Sequence, residues 1–125
     1  MNEEMDQSNF KYKEIVNLTY HDELKEVESG LIFPMADTGI ARVEKKKIII
    51  HRDPRGFTIS KTEYGKISGL DINNIDPEKL YIVSTVVLNA LIDKGLHKDN
   101  IVSPDESLRD SSGNVFANKG FRVNG

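Results

Sequence analysis

Short apolar runs separated by turn formers dominate the chain, and only one window changes period. Ile15–Thr19 (IVNLT) reads as a first strand, with TYHD (19–22) as its exit. LIFPM (31–35) is apolar, but Pro34 lacks a backbone donor, which sends this run to an edge strand or a loop. Ala41–Val43 and Lys47–His51 are expected strands. RDPRG (52–56) is a hairpin signal between them and Phe57–Ser60, and TEYGKISGL carries the sheet on with two glycines as punctuation. NNIDPEKL (73–80) reads as a loop, while SPDES and SSGN mark turns in a tail of short strands. Residues 1–9 are polar and expected to be disordered, leaving 10–125 as a single α+β domain.

Residues 80–95, LYIVSTVVLNALIDKG, are the exception. They begin as a buried strand and continue as a helix, with Ser84 suited to the N-cap and Gly95 to the position after the C-cap. Thr85, Asn89 and Asp93 recur at spacing four and share one face, while the other positions from 86 to 92 are apolar. A helix on a two-layer surface carries a broad charged face. This thin polar stripe instead requires cover on more than one side, from a sheet and, most simply, from a second subunit. The expected fold is therefore α+β, an antiparallel β-sheet with one or two short helices, in an oligomer.

The stripe has two readings. Thr85 and Asn89 either face solvent and satisfy backbone groups, or they flank an anion held by the free N–H groups and positive end of the helix. Charge bears on the choice. The chain carries −3, yet residues 1–30 hold 8 acidic and 3 basic side chains and residues 31–125 hold 12 and 14. A near-neutral body suits a small anion and argues against general nucleic-acid binding. In the tail, Arg109 precedes a turn of Asp110, Ser111, Ser112 and Gly113. It either organises that turn with Asp110 or presents its planar fork to phosphate. Phe116 and Phe121 are core residues or base-stacking ones. KKKIIIHRDPR (45–55) is a solvated strand end, or a source of Arg52 and Arg55 for an anion site between subunits.

Other chemistries lack their residues. There is no cysteine, which excludes disulfides and thiolates. The acidic start MNEEMDQSN has no apolar stretch of the secretory type, and no run approaches the ~20 apolar residues that span a bilayer. A cytosolic setting is expected. His21, His51 and His97 are scattered without a metal-ligand spacing, and no phosphate loop, nucleophile motif or paired carboxylates occur. These absences favour a binder over an enzyme, with no metal and no cofactor.

NLTYHD (17–22), ARV (41–43), YGKISGL (64–70), LYIVSTVVLNAL (80–91) and NIVSPDESLRDSSGNVFANKGF (100–121) occur in that order. The ordered set resembles the first type of Thoeris anti-defence protein, the phage-encoded signal sponges. The resemblance touches most of residues 15–121, and residues 23–39 and 44–60 are not motif-like. It implies a protein of the infected bacterial cytoplasm that binds the cyclic ADP-ribose isomer made by a TIR-domain enzyme. Holding the signal intact keeps the downstream NADase effector inactive. It further implies homodimers or larger assemblies up to hexamers, ligands at subunit contacts, and in some members binding of cyclic di- or trinucleotides. By motif position it implies ligand roles for Ser84, Thr85 and Asn89, for Arg109 and Asp110, and for Asn17 and His21; Phe116 is the aromatic candidate. A hydrolase of a cyclic nucleotide and a small phage structural or interaction protein are the competing classes.

Overall fold

In the computed structural model, which describes residues 10–124, ten strands surround a single α-helix. The disorder expected over residues 1–9 lies outside the described residues. The central sheet runs in the order β1 (Glu14–Asn17), β6 (Lys79–Ile82), β7 (Ile101–Pro104), β10 (Phe121–Arg122). Its first three strands are parallel and only β10 is antiparallel to its neighbour. The expected antiparallel pairing fails in this central sheet, though it holds for most pairs elsewhere in the chain, and the reason lies in the connections. Parallel neighbours need a long crossover, and helix α1 (Thr85–Asp93) supplies it between β6 and β7. Alternation of apolar residues carries no information on strand direction.

The two faces of this sheet follow the period of two. Val16, Tyr81, Val83 and Ile101 face the helix, whereas Ile15, Leu80, Ile82 and Val102 face the opposite way. A second sheet, ordered β3 (Leu31–Pro34), β2 (Glu23–Glu26), β9 (Val115–Asn118), β8 (Ser107–Arg109), covers that far face with Leu24 and Phe33. The polar tetrapeptide ELKE gives no sequence signal for β2. It becomes a strand because Leu24 and Glu26 point inward and both its edges find partners.

Glu26 ties the ends of the chain together. Its carboxylate accepts from Ser29 N at 2.7 Å, Ser29 Oγ at 2.6 Å, Glu28 N at 2.9 Å and Gly120 N at 2.8 Å. Burial pushes the Glu26 carboxyl up, but these hydrogen bonds outweigh it and hold the group at about 2.

The helix is capped as expected. Ser84 Oγ accepts from Val87 N at 3.3 Å. At the other end Gly95, with φ of 71°, lets Leu96 N reach Leu91 O at 2.8 Å and Gly95 N reach Ile92 O at 3.0 Å. Val87, Leu88, Ala90 and Leu91 are buried, the larger of them stabilising the fold by about 1.5–3 kcal/mol each. Much of the second cover that the stripe demands comes from the chain itself. Val43 and Ile67, at the root of the long ribbon β4 (Arg42–Arg52) and β5 (Thr58–Ser68), pack on the helix side together with Leu70, Ile72 and Ile75. Val86 and Ile92 stay open, at 38% and 40% exposure.

Candidate functional site

The start of α1 lies at the C-terminal end of the parallel strands, where chain direction aims backbone N–H groups outward. The cap takes the N–H of Val87, and Ser84 O accepts from Leu88 N at 3.0 Å. The N–H groups of Thr85 and Val86 therefore have no acceptor within the helix. Arg122 reaches the same place. In β10 it stands opposite Ser103 of β7, while Phe121, its neighbour, turns into the far core. Alternation thus puts Arg122 and Ser103 on the helix face, in line with Ile101.

Arg122 Nη2 donates to Thr85 Oγ1 at 3.4 Å, and Nη1 lies 3.8 Å from Asp105 Oδ1. Arg122 Nε and the hydroxyl of Ser103 are both buried without a hydrogen-bond partner, Ser103 being wholly inaccessible. Unpaired buried polar atoms are uncommon and costly. Helix N–H groups, a guanidinium and the Thr85 hydroxyl meet here, and an oxyanion is the chemical group that all of them can bind, while the Ser103 hydroxyl lies sealed beneath Arg122. Asp105 holds one side of the guanidinium, so an incoming anion competes with it.

The other residues nominated by sequence fall into separate groups. Asn89 is half-buried on the helix, about one turn beyond Thr85 on the same face. Asn17 is buried and fully occupied: Nδ2 donates to His21 O at 3.1 Å and Phe33 O at 3.0 Å, while Oδ1 accepts from Thr19 N at 3.0 Å and Thr19 Oγ1 at 2.6 Å. His21 is half-buried against the Tyr20 ring, with centroids 4.3 Å apart. It shares a shallow depression with Phe116, which is 54% exposed. Phe121, by contrast, packs near Phe33 with ring centroids 6.1 Å apart.

Arg109 sits at the end of β8 in the second sheet and donates from Nη1 to Gly113 O at 2.7 Å. Asp110 accepts from Ser112 N and Asn114 N at 2.9 and 3.0 Å. The two residues build the turn together, each through its own bonds to the turn backbone. The cation at the helix start is Arg122, which sequence reasoning passed over. Its only signal is the alternation of Phe121 and Arg122 after Gly120, and that signal has meaning only once β10 is known to pair with β7.

Two open recesses, of about 580 and 670 Å³, are large enough for a nucleotide. The first borders β1 and is lined by Glu14, Asp37, Asp71 and Lys79 among apolar groups. Lys79 is tied to Glu14 at 3.3 Å, and that bond pushes its pKa up. Three carboxylates around one neutralised lysine repel phosphate. The second recess is mostly apolar, with Tyr12, Leu31, Phe33, Phe121 and Val123 along it. Comparisons with protein-family models, characterised proteins and solved structures find no match. Among the described residues no group of three or more His, Asp or Glu is placed to hold a metal ion. Among the described residues no helix is long and apolar enough to cross a membrane.

Proposed function

We propose that the chain is a non-catalytic sponge for a cyclic ADP-ribose isomer made by a TIR-domain enzyme, acting in the cytoplasm of an infected bacterium to block Thoeris immunity. The order of motifs along the chain suggests the ligand. The observation that carries the reading is the approach of Arg122 to Thr85 at the open start of α1. A pyrophosphate needs several donors and positive potential in one place, and the helix start, the Thr85 hydroxyl and Arg122 provide them. On this reading Asn89, on the same helix face as Thr85, takes a ribose or base edge. Self-association and binding of cyclic di- or trinucleotides belong to the same reading. A sponge must release slowly, which favours several charge-assisted bonds over a catalytic group.

Incubation with the cyclic signal, followed by heat denaturation of the protein, is the direct test. Recovery of intact signal is the expected result, a breakdown product would establish a hydrolase, and an unchanged free signal concentration would leave only a structural or interaction role. Calorimetry on Arg122→Gln and Arg109→Ala then locates the site. Arg122→Gln should weaken binding by about tenfold or more, the scale of one charge-assisted hydrogen bond, while Arg109→Ala stays close to wild type. The reverse ranking would move the phosphate to the β8–β9 turn.

A further inference from the structure

Among the described residues nothing covers the outer part of the β4–β5 ribbon, which forms an arm. Beyond Val43 and Ile67 it leaves the core, and Ile49, Ile50, Phe57 and Ile59 are 40–58% exposed. Successive strand residues point to opposite faces, so both faces carry apolar groups into water. A two-stranded ribbon alone is marginally stable. Yet the tip is tightly built. Asp53 accepts from Arg55 N and Nε at 2.8 Å and from Nη2 at 3.1 Å, and Asp53 N donates to Phe57 O at 2.9 Å. The Arg55 guanidinium holds the Asp53 carboxyl below the usual range and lies 5.4 Å over the Phe57 ring. A preformed arginine–aromatic pair loses little freedom on docking and has the composition of interface anchors.

Charge selects the partner. Residues 44–63 carry six Lys and Arg against three Asp and Glu, hence +3, while the rest of the described chain, residues 10–43 and 64–124, carries 11 against 14, hence −3. Two arms repel one another, while arm and body attract. The body offers a matching surface in the recess of about 580 Å³ beside β1, lined by Glu14, Asp37 and Asp71 together with Ile15 and Met35, the one lysine there, Lys79, being taken up by Glu14. An arm cannot serve its own recess. Gly69 and Leu70 line that recess at the arm's root, and eleven residues of β5 put the tip about 35 Å from it.

We propose that the arm tip docks through Arg52, Arg55 and Phe57 into the acidic recess beside β1 of a second copy of this chain. Phe57 is covered by the apolar floor and the two arginines meet the carboxylate rim. Reciprocal exchange closes a twofold dimer.

Sedimentation velocity on the full chain tests this by charge reversal. Wild type should sediment as a dimer that weakens with salt. The tip variant Arg52→Glu/Arg55→Glu and the recess variant Glu14→Lys/Asp37→Lys should each raise the dimer dissociation constant by about tenfold or more. An equimolar mixture of the two should dimerise again, because each reversed surface then meets its complement. Where a reversal misfolds, as judged by circular dichroism, Phe57→Ser replaces it and should dissociate the dimer too. A monomeric wild type, a dimer that survives either change, or a mixture that stays monomeric overturns the proposal.

Discussion

Replacing Glu26 by glutamine should loosen the join between the two ends of the chain, and the structure sets the size of the effect. Each carboxylate oxygen accepts two hydrogen bonds, Oε1 from Ser29 and Oε2 from Glu28 N and Gly120 N. Glutamine keeps one accepting oxygen and turns an NH₂ group toward the other two donors. Two charge-assisted bonds are lost, at a cost of about 3 kcal/mol against a domain stability of about 5–15 kcal/mol. The pH dependence is an independent check. The Glu26 pKa falls from 4.5 to about 2 on folding, so its contribution is complete above about 4.5 and is lost as pH falls toward about 2. Urea denaturation of wild type and Glu26→Gln at neutral pH should differ by about 3 kcal/mol. The two stability curves should then converge as the acid is titrated in. A difference below about 0.5 kcal/mol, within the range of ordinary surface changes, would refute the clasp. So would a gap that stays constant through the acid range.

Asn17→Ala should cost about 3 kcal/mol in the same denaturation assay, since it removes a buried side chain that bonds the half-buried carbonyls of His21 and Phe33 and the N–H and hydroxyl of Thr19. Loss of ligand affinity at unchanged stability would instead assign Asn17 to the ligand. Gly69→Ala should lower the thermal midpoint strongly, by the equivalent of at least about 2 kcal/mol. Its Cβ would lie 2.2 Å from Ile40 O at a φ of 80°, and a neutral outcome would mean that the 40–41 segment does not pass so close.

The strand-to-helix change at Ser84 was legible because local chemistry decides it: a cap hydroxyl, a helical period and a glycine stop. The hairpin at RDPRG was legible for the same reason. Strand direction was not, since β1 and β6 pair through groups every residue carries. β2 was hidden because ELKE owes its strand form to partners at Phe33 and Asn118. Residues 44–46, left between two expected strands, lie inside one eleven-residue strand, their charges tolerated because the arm stands in water. At the candidate site, Ser84 and Thr85 announced themselves through the helix start. Arg122 did not, because it arrives from the end of the chain, and only tertiary pairing brings it there.

The parallel pairing of β1 with β6 also sets an order of events. Glu14 pairs with Lys79, sixty-five positions later, and β6 in turn gains its other neighbour only at Ile101. A ribosome making this chain exposes Ile15 and Val16 several seconds before their partner strand exists, at synthesis rates of about 5–20 residues per second. The β4–β5 hairpin, by contrast, closes from adjacent segments and can form while the rest is still unmade. The first strand of the sequence is therefore among the last to be installed, and it waits on the segment that also carries the helix start.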